Sequence, residues 1–141
     1  MSFTIYYTSA RHVTDEEAEA IKSAAQRECQ ERSWLSCEPV GFFPDLQDGM
    51  LIGGSKPNFN PHPEDRRSAE ASGLVDGGPR DLLEILARLS GEYSLDWELM
   101  HDFGPLGSIR GGLVDPQALA QIEALAELQG ALGEEGDEEI A

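Results

Sequence analysis

The residues of this chain best suited to chemistry stand together at Asp96-x-Glu98-x-x-His101-Asp102. In an extended strand Asp96, Glu98, Met100 and Asp102 point one way, and Leu95, Trp97 and Leu99 point the other. If the first strand lies beside this one, Thr4, Tyr6 and Thr8 join the acidic side. Carboxylates held close raise one another's pKa, which suits an acid–base pair or a hard-cation site. His101 next to Asp102 adds an imidazole able to bind a ligand or take a proton. A plainer reading fits the same residues: a half-exposed strand with its acids in water, ending in a histidine bonded to a backbone carbonyl. No His-Glu-x-x-His motif and no Gly-x-Ser-x-Gly elbow occurs. No catalytic residue or metal ligand is therefore assigned, and no cofactor is expected.

A second cluster runs from Lys56 to His62. Lys56, Asn58, Asn60 and His62 offer an ammonium, two amides and an imidazole on a proline-stiffened segment. Such groups suit holding an anion or a carbonyl by several hydrogen bonds. Gly53-Gly54-Ser55-Lys56 lacks the spacing of a phosphate loop, and Pro57 blocks the helix that such a loop needs. The plainer reading is a surface loop closed by its own prolines and Asn turns. Phe59 either pins that loop or serves as a contact anchor. Cys29 and Cys37 match no CxxC pattern and read as reduced thiols, Cys29 in the core. Cys37 with His62 or His101 is formally a Cys–His pair, but spacing alone does not bring them together.

The elements that must position these residues follow from periodicity. Phe3, Ile5 and Tyr7 alternate with polar residues, predicting a strand over 3–8. Thr14 to Glu17 forms a capping box, with Glu17 expected to reach back to the Thr14 amide. An amphipathic helix then covers 15–32. Residues 37–43 and 50–52 read as two strands of a hairpin. Residues 53–78 read as a long loop, with one or two helical turns possible over 64–71. Pro79 opens a helix over 79–90. A strand follows over 94–102, a turn over 103–107, and a short strand over 108–114 weakened by Gly111 and Gly112. Asp115 and Pro116 start a last helix. This order predicts an α+β fold: a ferredoxin-like (split βαβ) sandwich with an antiparallel sheet, a long loop insertion and an extra C-terminal helix. One sheet face stays open unless the last helix or the long loop covers it.

Length and charge bound the function. The 141 residues fit a single α+β domain over 1–133 and an acidic flexible tail over 134–141. Twenty-seven acids against 10 bases give a net charge of −17. That disfavours nucleic acid and anionic membranes as partners. No apolar run reaches membrane-spanning length. The N-terminus has no secretory pattern, so a cytoplasmic location is expected. Together these features predict a non-enzymatic binding module for a basic or polar protein partner. The alternative is a small-ligand binder or enzyme that brings the 53–78 loop to Asp96, Glu98, His101 and Asp102. A homo-oligomeric structural module, with the open face or an edge covered by a second copy, is the further alternative. The chain would then be a homodimer rather than a monomer.

Overall fold

A computed structural model describes residues 4–58, 62–102, 104–125 and 127–128. Phe59, Asn60, Phe103 and the acidic segment 134–141 lie outside the described residues. The element order is β1 (Ile5–Ser9), α1 (Asp15–Cys29), β2 (Ile52–Ser55), α2 (Pro63–Ser72), α3 (Pro79–Tyr93), β3 (Trp97–His101), β4 (Gly104–Arg110) and β5 (Leu113–Val114). A further helix, α4, takes residues 116–125. The strands form one antiparallel sheet in the order β2-β1-β3-β4-β5.

The α+β class is as expected, but the strand order is not that of a split βαβ sandwich. Two local causes account for the difference. Residues 37–43, expected as a full strand, make only isolated bridges, Cys37 to Pro57 and Phe42 to Gly53. Five steps along 37–42 face four along 53–57, so the segment slips by one residue. Pro39 also has no N–H to give a ladder. At the other end, Gly111 and Gly112 do not weaken a strand over 108–114. With φ of 56° and 81° they form a two-residue hairpin turn. This turn folds β5 back on β4, and β4 begins at Gly104 within the expected turn. The stretch 53–78 contains the end of β2 and all of α2.

Side chains replace the missing ladder beside β2. The Tyr7 hydroxyl donates to Gly41 O at 2.7 Å and accepts from Gly41 N–H at 2.8 Å. It lies 2.9 Å from Ser55 Oγ, which donates to Pro39 O at 2.8 Å. A Cβ on Gly53 would stand 2.1 Å from Gly41 O and 2.3 Å from the Tyr7 ring. Only glycine allows this approach.

The helices form one layer. Ala18, Ile21 and Ala25 of α1 join Leu82, Leu86 and Leu89 of α3 in a single cluster with Ile5, Tyr7, Trp97 and Leu99. The Trp97 indole N–H donates to Leu86 O at 3.0 Å. Thr14 Oγ1 accepts from Glu17 N–H at 3.1 Å, which starts α1. The Glu17 carboxylate binds Arg11 at 2.7 Å and also faces the Thr14 backbone N–H, the returning side of the capping box. The Arg11 guanidinium holds that carboxyl below the usual range. Asp115 Oδ1 accepts from Gln117 N–H at 2.9 Å and caps α4. Ala118 and Ile122 of α4 are buried in the same cluster. A Cβ on Gly107, which pairs with Leu99, would meet Ala118 at 3.0 Å. The last helix therefore joins α1 and α3, and it is not the cover of the opposite face. Among the described residues no helix is long and apolar enough to cross a membrane.

Candidate functional site

Burial alternates along the two central strands. Ile5, Tyr7, Trp97 and Leu99 are buried, Tyr6 and Thr8 are half-buried, and Glu98 and Met100 are exposed. The register sets Tyr6 opposite both Gly54 and Met100, and Met100 opposite Pro105. The Tyr6 ring fills the space over Gly54, where a Cβ would lie 3.2 Å from it. In the adjoining row Ile52 faces Thr8, Thr8 faces Glu98, and Glu98 faces Ser108.

Phe42 and Phe43 meet different environments. Phe42 packs edge-on to Tyr7 at 5.5 Å and stacks on Trp97 at 5.8 Å between ring centroids. Phe43 donates its N–H to Ile52 O at 2.9 Å and is 44% exposed. The two rows supply an apolar band of Ile52, Tyr6, Met100 and Pro105 on a face that no described helix covers. Met100, at its centre, is 48% exposed.

Acids stand on both sides of the band. Glu98 precedes Met100 by two residues and Asp102 follows it by two, so strand alternation gives all three one side. Asp102 Oδ2 accepts from Thr4 N–H at 3.0 Å, and Asp96 Oδ1 accepts from Gly111 N–H at 3.1 Å. These bonds fix two carboxylates in place. Glu98 forms no ion pair among the described residues. Among the described residues no cluster of three or more His, Cys, Asp or Glu side chains could hold a metal ion. Lys56 lies one alternation beyond Gly54 on the same side, and its N–H donates to Glu38 Oε1 at 2.7 Å.

Tyr6 and Glu98 thus share the less buried side of β1 and β3, and Lys56, Asp96 and Asp102 flank the ends of β2 and β3. His101 ends β3 opposite Gly104, on the helix side by alternation, and is half-buried. Asn58 and His62 belong to the α2 region instead. Asn58 lines a cavity of about 590 Å³ with Arg32, Trp34, Asp65 and Ser68, and its N–H donates to Ser36 O at 2.7 Å. His62 Nδ1 accepts from Glu64 N–H at 3.2 Å and caps α2, a helix that buries none of its residues. None of Asp96, Glu98, His101 or Asp102 lines the cavities beside α2. Asn60 lies outside the described residues.

Cys29 packs against the core cluster without being fully enclosed. Cys37 is buried and Cys29 half-buried, and both are free thiols. Burial, reinforced by Glu38, Asp81 and Asp76, pushes the Cys37 thiol up to about 12. A thiol held protonated is a poor nucleophile.

The band itself was only partly visible in the sequence. Alternation puts Met100 on the acidic side, but Pro105 reads as turn. Comparison with known protein families, curated proteins and solved structures finds no match to this chain.

Proposed function

We propose that this protein is a binding module that takes a basic protein partner on the uncovered face of its sheet. The observation that carries this reading is the exposed apolar band around Met100, bounded by Glu98 and Asp102, in a chain of net charge −17. An antiparallel sheet that only faces water places polar side chains outward. Here the outward row through Met100 runs Gly54, Tyr6, Met100 and Pro105, beside a more polar row of Ile52, Thr8, Glu98 and Ser108. Aromatic residues and Met are enriched at protein interfaces. The surrounding negative field attracts a basic partner and speeds its arrival. The small-ligand alternative draws on the α2 cavity, which contains Asn58 but none of the strand carboxylates.

The test is a photo-crosslinking side chain placed at position 100 in cells that make the protein, with the same group at exposed Ala71 of α2 as control. The expected result is an adduct with a basic protein at position 100 only, weakened by salt and by the Glu98→Lys/Asp102→Lys double variant. Equal adducts at both positions, or adducts indifferent to charge reversal, would overturn the reading.

A further inference from the structure

We infer that the occupant of this face is an amphipathic helix of the partner, with Lys or Arg on both flanks of its apolar stripe. This inference rests on the partner-binding reading above. Its first argument concerns the backbone. The N–H and C=O groups of β1 and β3, each flanked by a strand on both sides, lie in the plane of the sheet and are used in its ladder. A face therefore offers side chains only. Whatever covers it must satisfy its own backbone, as a helix does and an isolated extended segment does not.

The second argument is dimensional. Glu98 and Asp102 are four residues apart on one extended segment, roughly 13 Å. A helix with its side chains is about 10–12 Å across. A helix laid over Met100 along the band thus fits between the two carboxylates, and cations on its flanks reach them. The band crosses β2, β1, β3 and β4, at about 4.8 Å per strand spacing. With Phe43 beyond β2 this is roughly 15–20 Å, the length of about 10–13 helical residues at 1.5 Å each.

The third argument is charge and supply. The buried stripes of α1, α3 and α4 are spent on the opposite face. α2 has no large apolar side chain among Pro63–Ser72. A second copy would bring another −17 charges to an acidic surface. A basic helix from another protein meets neither obstacle.

The probes are three 14-residue peptides added to the full chain. One is a Leu/Lys amphipathic helix with lysines flanking the leucine stripe. One is its twin with Glu in place of Lys. One has the same Leu and Lys content with two central prolines that prevent the helix. Affinity is read by fluorescence anisotropy and location by amide chemical shifts. The Lys helix is expected to shift Tyr6, Thr8, Glu98 and Met100, and to bind at least about tenfold tighter than either control, the scale of one interfacial hot spot. Met100→Glu and Glu98→Lys/Asp102→Lys should each remove about tenfold or more. The charge-matched α2 variant Glu64→Lys/Asp65→Lys should change affinity less than about twofold, as peripheral charges do. Thermal unfolding of each variant verifies that it folds.

Equal binding by the proline peptide at the same amides overturns the helix and leaves the partner reading standing. No shift on this face with any peptide, together with position-independent crosslinks, overturns both. A dimer in sedimentation that Met100→Glu abolishes makes a second copy the occupant and also overturns the inference.

Discussion

Tyr6 and Tyr7 are neighbours on one strand and meet opposite environments. Tyr7 is fully buried, packs against Phe42 and Trp97, and spends its hydroxyl on Gly41 and Ser55. Tyr6 is half-buried and lies flat over Gly54 beside Met100. The same chemistry thus serves stability on one face and remains available for contact on the other. The difference follows from alternation in a sheet that packs α1, α3 and α4 against one side.

The largest test of this contrast pairs Trp97 with Met100. Trp97→Ala empties a fully buried site and should cost about 3–5 kcal/mol. Met100→Ala should change stability by less than about 0.5 kcal/mol. Urea unfolding of both variants measures this, and a comparable loss at Met100 would mean that the face is covered in the free protein. The adjacent glycines give a second pair. Gly53→Ala drives a methyl into Gly41 O and the Tyr7 ring, an overpacking expected to cost about 1–3 kcal/mol. Gly54→Ala meets only the movable Tyr6 and Thr4 side chains and should cost well under that. Similar thermal shifts for the two would break the distinction between the faces.

Removing one oxygen gives a smaller effect. Tyr7→Phe strands Gly41 N–H and should cost about 1–2 kcal/mol by chemical denaturation. Tyr6→Phe should be nearly neutral to stability.

The smallest expected effect is at alkaline pH. Burial raises the Tyr7 phenol, and it raises the Cys37 thiol to about 12. The unfolded chain releases these protons near about pH 10 and 8.5, while the folded chain keeps them. The native state then binds more protons, so stability is full below those values and falls as pH rises past them. The urea midpoint should begin to fall near pH 9, and Cys37→Ala should make that fall shallower, with Cys29 keeping a share because burial raises its thiol too. An unchanged profile in Cys37→Ala would remove the thiol from the account.

Much of the framework is legible because it is local. Thr14 and Asp115 cap their helices, Pro79 sits in the first turn of α3, and Leu95, Trp97 and Leu99 are buried together. Each depends on residues within a few positions. The errors concern partners distant in sequence. Pro39 and a one-residue slip stop 37–43 from completing a strand. Gly111 and Gly112 turn the chain because β5 has β4 to return to. Cys37 is buried through contacts with a bridge at Pro57 that lies 20 residues away. Among the candidate site residues, alternation put Tyr6 and Glu98 on the less buried side of β1 and β3. It had no means of sending His62 to the cap of α2 or Asn58 to a cavity beside Trp34.

The sequence by itself determined which side of β1 and β3 is apolar, where α1, α3 and α4 begin, and the −17 charge. Those are matters of composition and of period, and period is set by backbone geometry over a few residues. The tertiary structure alone decided that α4 packs beside α3, that β4 and β5 extend the sheet, and that Tyr6, Met100 and Pro105 fall in one row. Register between strands comes from hydrogen bonds and burial between distant segments, which local period does not encode.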